Sequence, residues 1–185
     1  MNIIDSTAQN IARSIRKHYP EAGSEIALRY SLSLIINSTT SMVLIFIISI
    51  LTHRFYEAVI VLATFLLLRY FTGGVHLNSS LACCLFSVIL LSSITFAEFN
   101  YYFLGVLFNI IAIIIFLIKA PEGIENISRI DRRYYPLLKL ISILIVSTNF
   151  IISSSLLSLV FITQAFFLTK LAYNIIHYIE RRINI

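Results

Sequence analysis

Arg69-Tyr70-Phe71-Thr72-Gly73-Gly74-Val75-His76-Leu77-Asn78-Ser79-Ser80-Leu81-Ala82-Cys83-Cys84 interrupts two long apolar runs, and its reading decides the fold. Paired glycines accept backbone angles that other residues resist, and an Asn-Ser-Ser cluster closes one element and opens the next. Irregular backbone at membrane depth is tolerated only where protein buries it or water reaches it. The stretch therefore implies a cavity rather than a lipid-facing surface.

The need for a membrane comes from composition. Of 185 residues, 58% are hydrophobic and 12% charged, and the mean hydropathy is +0.89. No ordinary soluble globule has this balance. The length fits a single polytopic membrane domain, divided into an interfacial helix over 1–24, a helix bundle over 31–173 and a cytoplasmic tail over 174–185. A net charge of +5 is read as basic loops held against anionic headgroups, not as a nucleic-acid footprint. Adjacent cysteines are poorly placed to bridge one another, so no disulfide is expected. The first thirty residues carry Asp5, Arg13, Arg16, Lys17, Glu21, Glu25 and Arg29 with no long apolar run, so no signal peptide is expected and the N-terminus is placed in the cytoplasm.

Outward from the window, six apolar runs can be delimited: Ser31–Leu51, Glu57–Phe71, Leu81–Phe96, Tyr101–Ile118, Leu137–Ile152 and Leu156–Tyr173. A bilayer core of ~30 Å needs about 20 helical residues, so the first and last are comfortable spans and the second and third are short or re-entrant. With six spans and both ends inside, thirteen of the 14 Lys and Arg lie on the cytoplasmic side and Arg54 alone lies outside, as the positive-inside rule requires. The His76–Cys83 window then faces the cytoplasm. A four-span form, in which the two short runs dip in and return, keeps the same sidedness. Ile4, Ala8, Ile11, Ile15 and Tyr19 recur at helical spacing opposite Arg13, Arg16 and Lys17, which predicts a basic amphipathic helix stopped by Pro20 and Gly23. It either anchors the bundle or grips another amphipathic peptide.

Chemistry can be read directly only within the window. A thiol attacks as thiolate, and a neighbouring imidazole, a cation or a helix N-terminus favours that form. If Ser79 or Ser80 caps the following helix, Cys83 falls in or just beyond its first turn, with Arg69 on the near side of the glycines. His76 is placed to take the thiol proton and return it to a leaving amine. Seven residues on an unbroken helix rise ~10.5 Å, beyond hydrogen-bond reach, so the glycines and the Asn-Ser-Ser turn must fold the histidine back. Cys84, about 100° further round the helix, is the weaker candidate. Asn78 and Arg69 are candidate donors to an oxyanion. Arg129, Arg132 and Arg133 either attract an acidic peptide segment or simply fix topology.

These residues resemble the AgrB family (accessory gene regulator B), bacterial membrane peptidases that process the precursor of a quorum-sensing peptide. The likeness rests on Arg69, the Gly74-x-His76 element and Cys83 seven residues beyond the histidine. Ala120-Pro121-Glu122 with Asn126 resembles the loop after the family's fourth span. The resemblance implies an all-α bundle of six transmembrane or partly re-entrant helices in the bacterial cell membrane. It implies Cys83 as nucleophile, His76 as its base, and Arg69 and Gly74 as supports of the site. It also implies a small amphipathic precursor as substrate, a thiolactone or lactone product and a homodimer. The chain departs from the family in its second thiol, Cys84, and in a loop of mixed charge, where Glu122, Glu125 and Asp131 oppose Arg129, Arg132 and Arg133.

The expected activity is that of a cysteine endopeptidase which cleaves the C-terminal part of the precursor through a Cys83 thioester and assists its cyclisation. It needs no cofactor and no metal. His18, His53, His76 and His177 are scattered and no HExxH pair exists, which disfavours a metalloprotease. The competing class is a non-catalytic peptide exporter or scaffold, in which His76 and Cys83 only pack. Rapid alkylation near neutral pH separates a reactive thiol from a packing one.

Overall fold

The computed structural model describes residues 2–77, 79–124 and 130–183. Among them are eight α-helices: α1 (Ile3–His18), α2 (Glu25–Leu51), α3 (Phe55–Thr72), α4 (Ser80–Thr95), α5 (Val106–Lys119), α6 (Tyr135–Ile152), α7 (Ser155–Phe166) and α8 (Lys170–Ile183). A π-helical turn over Tyr101–Gly105 leads into α5, and a 3-10 turn over Arg132–Tyr134 leads into α6. The described residues contain no strand, only an isolated parallel bridge between Gly73 and Glu122. The expected all-α membrane bundle is present.

Each of the six apolar runs forms a helix, but fewer cross a membrane unaided. Four segments are long and apolar enough, Glu25–Leu51, Phe55–Thr72, Tyr101–Lys119 and Arg132–Ile152, and a fifth span results if α7 and α8 count as one bent crossing. The count of six is thus an upper approximation. Run two gains a turn from flanking residues and reaches 18 residues, while run three remains a short helix over Ser80–Thr95. The sixth run corrects an expectation: rather than one comfortable span it bends by 74° between α7 and α8. The Phe167 carbonyl accepts from the Val75 N–H at 3.0 Å, and Thr169 Oγ1 accepts from the Ala172 N–H at 3.3 Å to start a new helix. Residues 174–183, expected as a tail, belong to that helix, and its Ala172 and Ile176 sit in the core.

Helix α1 is an interfacial helix of the expected kind, with Asn2 as N-cap accepting from Asp5 N and with Arg16, Lys17 and His18 in the last turn, where cations suit the helix dipole. Its apolar side is used in part, with Ile11 and Tyr19 left exposed. Ile4, Ala8 and Ala12 are buried as α1 packs along α2 and touches α4, and the Arg13–Glu25 ion pair at 3.1 Å ties the two helices. Within the bundle α5 packs on α6 and α7, and α3 on α7, α6 and α4. Fully buried Val61, Leu68, Phe116, Val146, Val160 and Phe161 fill the centre. The outer faces present Leu51, Tyr56, Phe103, Ile118 and Ile151, apolar surface that lipid would cover.

Polar groups mark the two ends. At one, Arg54 pairs with Glu57 at 3.3 Å and Glu98 at 2.7 Å, joining the α2–α3 turn to the segment after α4. Nearby, Tyr101, Asn109, Asn149, Ser154 and Ser158 form one buried network. Asn109 Nδ2 donates to the Tyr101 hydroxyl at 3.2 Å, Asn149 Nδ2 donates to Ser158 Oγ and Ser154 O, both at 2.9 Å, and Ser154 N donates to Asn149 Oδ1 at 2.9 Å. Gly105 is required there, because a Cβ would lie 2.5 Å from the Tyr101 ring. The opposite end carries α1 and the Gly73–Ser79 loop.

Candidate active site

Helix α3 ends at Thr72 because Gly73 takes φ +68°, a left-handed conformation that favours glycine. The chain then crosses six residues before Ser79 caps α4, its hydroxyl accepting from Ala82 N at 3.4 Å. Cys83 N makes the first backbone bond of that helix, to Ser79 O at 2.9 Å, so the thiol stands one turn in, where the helix dipole favours negative charge. The continuous helix that would separate His76 from Cys83 is absent.

The intervening loop is clasped by two distant segments. Gly74 N donates to Glu122 O and Glu122 N to Thr72 O, both at 2.9 Å, and Val75 N donates to Phe167 O at 3.0 Å. Gln164, with no solvent exposure, donates through Nε2 to Thr72 Oγ1 at 2.7 Å and Gly73 O at 2.8 Å. A side chain at Gly73 would meet Glu122 O at 2.2 Å. Gly74 stands at φ +114°, and a Cβ there would lie 3.2 Å from both Arg69 Nη1 and Phe167 O. The absence of side chains at both positions is therefore what lets backbone meet backbone.

Arg69 reaches up from α3 beneath this loop. Its Nη2 donates to Val75 O and, at 3.5 Å, to Gly74 O. The guanidinium lies 5.9 Å from the Phe65 ring centre and 5.8 Å from that of Phe167, within cation–π range. Buried Nη1 has no hydrogen-bond partner.

Arg69, His76 and Cys83 line one cavity of about 1310 Å³ between α2, α3 and α4. His76 is exposed by area, but what it faces is a concavity. Removal from bulk water and, secondly, the Arg69 charge lower its pKa to about 4, so the ring is neutral at pH 7. Cys84, 2% exposed, belongs to the hydrophobic core. Asn78 and Arg129 lie outside the described residues, as do Glu125 and Asn126. Arg132 and Arg133 are not on the cavity wall, although Ile130 is. Arg133 pairs with Asp131 at 3.5 Å and lies 4.8 Å from the Tyr134 ring centre.

Several residues beyond the sequence candidates enter the site. Asp5 lines the cavity and accepts from Ser80 Oγ at 2.7 Å, while Asn2 Nδ2 donates to Ser79 Oγ at 3.3 Å, so the start of α1 braces the start of α4. Gln164 and Asn37 had one signal in the sequence: an amide inside an apolar run is expensive unless something needs it.

No curated protein and no solved structure matches the chain. A family match does exist, and it covers the window, the clasping segments and the bundle alike: residues 7–179 match accessory gene regulator B, and the chain belongs to the AgrB family.

Proposed function

We propose that this protein is a membrane cysteine endopeptidase that cuts the C-terminal part from a small amphipathic precursor and closes the remainder into a ring. Membership of the AgrB family suggests involvement in autoinducer-peptide processing. The observation that supports the finer reading is that Arg69, His76 and Cys83 line the same cavity. Neutral His76 takes the thiol proton as Cys83 Sγ attacks the scissile carbonyl carbon. The S–C bond forms, the C–N bond breaks, and the same imidazole returns the proton to the leaving amine. The charge of Arg69, which lines the cavity, stabilises the oxyanion and the negative charge that develops on sulfur.

The acyl group is now a thioester on Cys83. A thiol or hydroxyl within the bound peptide attacks the same carbonyl, the C–S bond breaks, and Cys83 recovers its proton. Exchange between thioesters is close to isoenergetic, so proximity and exclusion of water, not driving force, select a thiolactone or lactone over the free acid. Family resemblance supports a homodimer. The distribution of Lys and Arg supports a site that faces the cytoplasm, with Arg54, the cation of the opposite end, neutralised by Glu57 and Glu98. Arg129, Arg132 and Arg133 attract the acidic part of the substrate or serve topology alone, and reversing all three charges while measuring precursor binding separates the roles.

Co-expression with a candidate short peptide encoded nearby, followed by mass analysis, tests the reading. A truncated product that has also lost one water is expected. Cys83→Ala should abolish it, and Cys84→Ala should retain most of it. Normal cleavage with Cys83→Ala would overturn the assignment.

A further inference from the structure

Below the site the cavity continues along α2, and its wall there is polar. Ser33, Asn37 and Ser41 recur every four residues on one face of α2 and all line it, although α2 is the longest apolar helix of the chain, at 27 residues. Asn37 stands ~18 Å along that helix from Glu25, about midway. Its side chain is nine-tenths buried, with 9% exposure, and its Oδ1 has no hydrogen-bond partner. An amide left unpaired in so apolar a setting is destabilising. The neighbouring hydroxyls do not relieve it: Ser41 Oγ donates to Asn37 O at 2.9 Å and Ser33 Oγ to Tyr30 O at 2.8 Å. With their protons spent on their own helix, they offer lone pairs to the cavity.

We propose that this stripe is a substrate subsite that holds an extended, apolar segment of peptide by its backbone, on the acyl side of the bond cut at Cys83. The proposal rests on the peptidase reading and deepens it. Arg29 continues the stripe one turn toward the start of α2, and from Ser33 to Ser41 the wall offers neutral acceptors, which suit a guest that donates neutral hydrogen bonds, as a peptide backbone does at every residue except proline. Asn37 can pair with a peptide group whichever way its amide is turned, because that group has both an N–H and a C=O. Lipid acyl chains offer neither. Size agrees, since about 1310 Å³ exceeds the ~300–1,000 Å³ of ordinary small-molecule pockets and suits several residues. The direction follows from polarity: Leu34, Leu62 and Leu90 line the cavity beside the stripe, while Asp5, Arg29 and Arg69 line it elsewhere, so the part that enters along the stripe has apolar side chains and a charged leaving segment stays outside it. Held there, the acyl part of the thioester is kept from water while the ring closes.

Two measurements on the full chain test this, with the candidate short peptide encoded nearby as the precursor and probe. Asn37→Leu should raise KM for cleavage about fivefold to tenfold, the loss of one buried hydrogen bond, with kcat little changed. Asn37→Gln should recover part of the loss, and the rate of Cys83 alkylation by iodoacetamide should stay at the wild-type value, which reports an intact fold. In Cys83→Ala protein, a photo-crosslinking phenylalanine analogue at Leu34 or Leu90 should capture the precursor, and one at Leu107 on the exposed face of α5 should not. An unchanged KM, or adducts with phospholipid alone at Leu34 and Leu90, would overturn the subsite and leave the peptidase standing. Absence of cleavage by the wild-type protein would overturn both.

Discussion

Two polar clusters sit inside this apolar bundle, at opposite ends, and they are built on different terms. Around Asn149 every amide and hydroxyl is bonded within the cluster, and α5, α6 and α7 are tied together by it. Around the cavity, Arg69 Nη1 and Asn37 Oδ1 are buried and unpaired, and Gln164 Oε1 is so too, behind the glycine loop. Buried polar groups destabilise a protein unless they are satisfied. The closed cluster accounts for itself as architecture. On the proposed reading, Arg69 and Asn37, which line the cavity, find their remaining partners in the peptide that enters it, and the contrast then separates a structural amide from a functional one where composition cannot.

The contrast can be broken most severely at Gly74. Gly74→Ala puts a Cβ 3.2 Å from Arg69 Nη1 and from Phe167 O at a positive φ, so the loop and the guanidinium must both shift. Cleavage should fall about a hundredfold, as it does when reacting groups are misplaced by about an ångström, while thermal unfolding in detergent moves little. A large loss of stability with normal specific activity would place Gly74 with the architecture instead. At the other cluster the pattern should invert. Asn149→Leu strands the partners at Ser154 and Ser158 and should cost about 2–3 kcal/mol of stability, read from the unfolding midpoint, with activity per folded molecule retained. The smallest effect is one of position rather than size. Arg69→Gln removes one of the two influences that hold the His76 pKa at about 4. A base works when unprotonated, so a pKa that rises toward the ordinary ~6.5 carries the acid limb of the Cys83 alkylation profile to higher pH. An unmoved limb would mean that His76 does not sense Arg69.

Much of this was legible in the residues. Apolar runs become helices wherever they are long, and the Gly73-Gly74 and Ser79-Ser80 breaks could be read because glycine conformation and serine capping are local physics. The bend after Phe166 was not. Nothing in Phe166-Phe167-Leu168-Thr169 disfavours a helix strongly, and what ends α7 is a carbonyl taken by Val75, some ninety residues earlier in the chain. Gln164 escaped for the same reason, since its partners at Thr72 and Gly73 are set by tertiary contact. The alternative role of α1, gripping another peptide, falls to the exposed Ile11 and Tyr19, since Ile4, Ala8 and Ala12 are packed on the bundle. Sequence could predict an amphipathic helix but not which surface would claim it.

That long-range clasp has a consequence in time. Arg69, His76 and Cys83 all belong to the first half of the chain, whereas the groups that hold the glycine loop, Glu122, Gln164 and Phe167, are made later. Under the proposed mechanism, a ribosome that has released α4 has supplied every reacting group and none of the restraint on them. Catalytic competence would then arrive only when α7 docks, and a chain that stalls earlier would carry an inert thiol into the membrane.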